Sequence, residues 1–102
     1  MVDVRDVARL LVFTVDHPEK TNGERFLAAS SCGPNQAVAD ILREKYPERC
    51  GIIQEGTPRV GYTDYDISSF IDASKAVKAT GVPFIGFKES VLAAAQTFER
   101  YL

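Results

Sequence analysis

Tyr62, Asp64, Tyr65 and Asp66 bring two phenols and two carboxylates into five consecutive positions. Such groups polarise a carbonyl or move a proton when they are held within hydrogen-bond reach of a reacting atom. They are the candidate catalytic residues, although a solvated loop accounts for the same polar-aromatic stretch. Asp3, Arg5 and Asp6 form a second acid-base group, which helix capping and a surface ion pair explain more simply. Lys75 and Lys78 read as solvated side chains, because nothing near them in sequence would depress an amine toward Schiff-base chemistry. Cys32 and Cys50 lack CxxC spacing and a neighbouring histidine, and read as reduced, structurally minor thiols. The single histidine, His17, precedes Pro18 at a helix end, where its cation would meet the helix dipole favourably. No metal-ligand set stands out, and no metal is expected.

A dinucleotide site needs a glycine turn between strand and helix, so that backbone N–H groups approach the pyrophosphate. The sequence holds no GxGxxG. Gly51, Gly56 and Gly61 are spaced too widely and lie in a proline-containing segment, where forming turns is their simplest role. No cofactor is therefore expected. Twelve Lys and Arg face fourteen Asp and Glu without a long run of either sign, which excludes a basic stripe for nucleic acid. No apolar run approaches the roughly 20 residues that cross a bilayer, and MVDVRD lacks the regions of a signal peptide. These features predict a cytoplasmic protein that contacts neither nucleic acid nor membrane.

Short helices and turns must position these groups. Asp3 is a candidate cap for a first helix in which Val7, Leu10, Leu11 and Val15 recur at helical spacing, ending near His17. After the turn signal Asn22-Gly23, the run Arg25-Phe26-Leu27-Ala28-Ala29 reads as a short buried strand. A second helix is predicted from Pro34 to Tyr46, with Val38, Ile41 and Leu42 on one face and Pro47 as its stop. From Glu48 to Ser69 the chain is irregular, with Ile52-Ile53 as a short strand. Phe70-Ile71 ends another. Asp72 caps a brief third helix through Ala79, closed by Gly81. A final helix after Gly86 aligns Val91, Ala95, Phe98 and Leu102. The order helix, strand, helix, loop, helix, helix predicts one small α/β (α+β) domain over residues 1–102.

The segments VDVRDVA, NGERFLAAS, ADILREKYPER, IDASKAVKATG and ESVLAAAQTFERYL occur in this order. Together they resemble fungal NAD(P)-dependent epimerase/dehydratase-like ketone and aldehyde reductases of the extended short-chain dehydrogenase type, relatives of plant dihydroflavonol reductases. The resemblance runs along essentially the whole chain and is weakest from Arg59 to Ser69. It implies the C-terminal, substrate-facing lobe, which closes over a nucleotide-binding lobe absent from this sequence. It also implies hydride chemistry with a tyrosine and a lysine four apart. Here Tyr46, Tyr62 and Tyr65 are followed four residues later by Cys50, Asp66 and Ser69. The reductase pair is absent.

Two functions are therefore expected in alternative. The first is a stand-alone truncated lobe that binds a small, largely apolar molecule and acts as a cofactor-free isomerase, cyclase or dehydratase, not as an NAD(P) reductase. The second is a non-catalytic fragment, or a subunit that complements a separate nucleotide-binding chain. Met1 stands just before a helix cap and Leu102 closes an amphipathic helix, which favours a natural stand-alone protein. A lobe without its partner exposes apolar side chains, so a symmetric homodimer is expected. Exchange of the terminal helix about Gly81, Pro83 and Gly86 is one route to it.

Overall fold

The computed structural model describes residues 1–62 and 71–101. In order, these form α1 (Val4–Asp16), α2 (Pro18–Thr21), α3 (Asn35–Lys45), a 3-10 turn (Pro47–Arg49), α4 (Ser74–Thr80), α5 (Phe87–Phe98) and a closing 3-10 turn (Glu99–Tyr101). Among the described residues there is no strand, so of the expected α/β order the helices hold and the strands do not. No described helix is long and apolar enough to cross a membrane. The contacts divide the chain into two compact units, one of Met1–Ser31 with the described residues of Ser69–Gly86, the other of residues 32–62 with 87–101.

The first unit is organised by α1. Asp3 caps it as expected, its Oδ1 accepting from the Arg5 N–H at 2.9 Å. Asp6, 2% exposed, accepts the Ile85 N–H at 2.7 Å and an Arg9 Nη2 hydrogen at 2.9 Å. Asp3 and Asp6 thus serve capping and tertiary tethering, and Arg5 pairs with Asp3. At the other end His17 terminates the helix, its ring stacked on Phe13 with centroids 4.4 Å apart. Pro18 then starts α2, a single turn whose Thr21 hydroxyl donates to the Thr14 and His17 carbonyls. α4 is held through buried Ala76, and Gly81 ends it at φ 70°, the left-handed conformation expected for it. Asp72 accepts the Ser74 N–H at 2.9 Å, one residue before the cap position, so the helix starts one residue later than the capping pattern indicates.

The predicted strand at 25–29 is absent for a physical reason. A strand needs a neighbour for its ladder, and here the run merely leads into Ser30 and Ser31, whose N–H groups donate to the Met1 carbonyl. Phe26 is half-buried, while Leu27 is 54% exposed. Lys75 sits 5.0 Å from the Phe26 ring and pairs with Glu24, an occupation that fits its reading as a solvated side chain.

In the second unit α3 packs on α5. α3 begins after Pro34, which serves as its cap in extended conformation and not as its first helical residue. Val91 is the buried residue of α5, whereas Phe98, expected on the packed face, is 61% exposed. Ile52-Ile53 forms no strand, because both N–H groups donate to the Arg49 carbonyl and close a turn. Phe70 lies outside the described residues. The approach to α3 passes close under an aromatic ring, since a β-carbon at Gly33 would stand 2.6 Å from Phe87 Cζ. Gly33→Ala should therefore lower unfolding stability by about 1–3 kcal/mol, as overpacking usually does. A urea midpoint equal to the wild type would mean that the ring gives way without cost.

Candidate functional site

Two side chains one turn apart on α3, Gln36 and Asp40, hold the segment that leads to the candidate residues. The i,i+4 spacing puts them on one helix face, and the Gln36 Nε2 donates to Asp40 Oδ1 at 2.8 Å. Gln36 also donates to the Glu55 carbonyl at 2.6 Å and accepts the Thr57 N–H at 3.2 Å. Asp40 Oδ2 accepts the Arg59 N–H at 3.0 Å and the Tyr62 hydroxyl at 2.6 Å. Four hydrogen bonds from two side chains thus fasten residues 55–62 to α3. One turn further along, Arg43 donates through Nη1 to the Cys50 carbonyl at 2.8 Å and to that of Ile53, fixing the turn from which the segment emerges.

The fastened segment takes three left-handed residues, Gly56 at φ 61°, Arg59 at φ 63° and Gly61 at φ 81°. Glycine adopts that conformation freely. At Arg59 it costs about 1–2 kcal/mol, which the hydrogen bond from its N–H to Asp40 helps to offset. Between α3 and the segment lies an open cleft of about 450 Å³, lined by Asp40, Ile41, Arg43 and Glu44 on one side and by Glu55, Pro58, Arg59 and Tyr62 on the other.

The Tyr62 hydrogen bond to Asp40 pushes the phenol above its ordinary value, with smaller contributions from burial and from the carboxylate charge. Asp40 moves the opposite way. The Tyr62 hydroxyl, then the Gln36 amide, then the Arg59 N–H hold its carboxyl below the usual aspartate value. At neutral pH the pair is thus a carboxylate with a protonated phenol, and Tyr62 is a weaker acid than a free tyrosine.

Of the four candidate residues, Tyr62 lines the cleft, while Asp64, Tyr65 and Asp66 lie outside the described residues. The partners that organise Tyr62, Gln36 and Asp40, escaped the sequence reading. Their i,i+4 spacing was visible, but it reads equally as a solvated helix face. Cys32 and Cys50 are free thiols, and Cys50 Sγ lies 3.8 Å from the Arg43 carbonyl. Among the described residues no group of three or more His, Cys, Asp or Glu could hold a metal ion.

Comparison with known proteins gives three related sequences. The chain is 36% identical over 90 residues to a Saccharomyces cerevisiae protein named as an uncharacterized oxidoreductase. It is 33% identical over 90 residues to an NADPH-dependent methylglyoxal reductase of the same yeast, and 28% identical over 90 residues to a Candida albicans protein named for that activity. Each alignment takes in 88% of this chain and 26% of the relative. No family model matches, and no solved structure matches. The chain is therefore similar to part of these yeast oxidoreductases and spans about a quarter of their length.

Proposed function

We propose that this chain is the substrate-facing lobe of a reductase-like protein of the extended short-chain dehydrogenase type, that its α3 cleft receives a small carbonyl compound, and that nicotinamide nucleotide is bound by residues outside this sequence. The observation that carries the reading is the Arg59 side chain. It lines the cleft beside Tyr62 and its charge acts on both Asp40 and Tyr62, so it places guanidinium donors where a carbonyl oxygen could accept them. Ile41 and Pro58 supply apolar wall for a short carbon chain. The relatives named as methylglyoxal reductases support a small oxo-compound as the ligand class. Hydride transfer would then depend on a nucleotide held elsewhere, as in a subunit that complements a separate chain, since the sequence has neither a glycine phosphate cradle nor a tyrosine-lysine pair. A cofactor-free isomerase, cyclase or dehydratase would ask Tyr62 to give up a proton near neutrality, and its bond to Asp40 opposes that.

Hydroxyacetone is a stable probe, because methylglyoxal itself modifies arginine. A ligand of so few atoms binds no tighter than roughly millimolar in an open cleft. Titration of the isotope-labelled chain should shift amide signals of Ile41, Arg59 and Tyr62 saturably in that range. Absence of shifts in the cleft at tens of millimolar would sink the reading.

A further inference from the structure

The arginines of the chain differ in the surroundings that govern how a guanidinium meets an electrophilic carbonyl. On α1, Arg5 is engaged by Asp3 and Arg9 by Asp6. Arg43 lines the α3 cleft, but it is half-buried and its Nη1 is occupied by the Cys50 and Ile53 carbonyls. Arg100 lies over the Tyr101 ring, 4.8 Å from its centroid. Arg25 and Arg59 are both exposed, and Arg59 belongs to the cleft.

The backbone N–H of Arg59 sits on Asp40 Oδ2 at 3.0 Å, the oxygen that also accepts the Tyr62 hydroxyl, and its guanidinium charge acts on both side chains. A guanidinium is a planar fork with its nitrogens set on one carbon. Two carbonyl carbons joined by a single bond span the gap between two of those nitrogens, so a vicinal dicarbonyl seated on the fork can close a five-membered ring there. A compound with one carbonyl cannot. Its adduct is an open carbinolamine, which reverts to the starting pair.

In the ring closure each of two guanidine nitrogens forms a C–N bond to one carbonyl carbon as that carbon's C=O π bond breaks. Each nitrogen loses a proton and each oxygen gains one, leaving two hydroxyls on the ring. The Asp40 carboxylate accepts the first proton, and solvent supplies those on oxygen. No oxidant, reductant or leaving group takes part. Loss of one water from the ring then gives an imidazolone, far less basic than a guanidine and uncharged at neutral pH.

We propose that Arg59 is a covalent modification site for vicinal dicarbonyl compounds, and that such a compound thereby shuts the cleft that first binds it. The inference rests on the reading that the cleft receives a small oxo-compound at Arg59, because binding there turns a chance collision into an intramolecular step. The adduct abolishes the charge and the fork of donors. A compound with one carbonyl, seated in the same place, leaves both intact.

Peptide mapping by mass spectrometry of the whole chain, after brief exposure to less than one equivalent of methylglyoxal, tests it. Arg59 should gain the mass of one dicarbonyl, or that mass less one water, roughly tenfold or more faster than Arg25. Excess hydroxyacetone should bring the Arg59 rate down to that of Arg25, and so should unfolding in urea. After Arg59 is modified, hydroxyacetone should no longer shift the Ile41 amide. Equal rates at Arg59 and Arg25 in a chain whose cleft amides still respond to hydroxyacetone would overturn this inference and leave the cleft reading standing. Equal rates with no response to hydroxyacetone would remove both. A preference for Arg59 that hydroxyacetone fails to slow would also overturn it, since the preference would then not come from the cleft.

Discussion

Asp6→Ala is expected to cost roughly 2–4 kcal/mol of unfolding stability, because it strips a buried polar contact of its acceptor. The carboxylate is 2% exposed and joins the first turn of α1 to Ile85, 79 positions away, through a 2.7 Å bond to its N–H. Removing it leaves that donor unpaired and takes from Arg9 the partner it holds at 2.9 Å. Asp6→Asn retains an oxygen for the Ile85 N–H and gives up the charge, so it should cost about half as much. Urea unfolding followed by circular dichroism measures both. A loss below about 1 kcal/mol for Asp6→Ala would mean that water replaces the carboxylate, and that the tether contributes little.

Asp40→Ala should release residues 59–62 from α3, leaving Glu55 and Thr57 on Gln36, and return the Tyr62 phenol toward about 10, the ordinary tyrosine value. Four bonds converge on the Gln36-Asp40 pair from the segment, and Asp40 accepts the two that reach furthest along the chain, from Arg59 and Tyr62. Because the carboxyl is held below its ordinary value, the tether is intact above that value and is lost as pH falls through the lowered one. For Tyr62 the sign is reversed. Its raised phenol supports the tether fully below about 10, and that support disappears as pH rises through the raised value. Ring-carbon NMR of the tyrosines should show Tyr62 titrating later than a free tyrosine in the wild type and near the ordinary value in Asp40→Ala. Amide exchange at Arg59 should accelerate in the variant, while that at Thr57, whose N–H donates to Gln36, should change less. Identical Tyr62 titration in the two proteins would remove the pair from the site.

The sequence made α1, α3 and α5 legible because each repeats apolar residues at helical spacing over ten or more positions, and α1 and α4 carry their own end signals in Asp3 and Gly81. α2 went unread, since four residues are too few to show a period. The run at 25–29 has the composition of a strand, but composition does not supply a neighbour, and none is present among the described residues. The candidate site was half legible. Tyr62 stood out by its chemistry, whereas Asp40 acquires its role from a contact 22 positions away. On the sequence alone it is one more polar residue on a helix. Arg59 was hidden differently, because its place in the cleft follows from a left-handed backbone that its residue type does not announce.

Recognition of a carbonyl compound at the α3 cleft, with the nucleotide left to residues outside the sequence, can be tested on one labelled sample. It is titrated first with hydroxyacetone and then with NADPH, with Arg59→Met as the companion variant. Hydroxyacetone should shift Ile41, Arg59 and Tyr62 saturably at roughly millimolar concentration, the shifts should vanish in Arg59→Met, and NADPH should give no saturable change in either protein. Saturable NADPH binding at micromolar concentration, or hydroxyacetone shifts that survive unchanged in Arg59→Met, would contradict that division of labour.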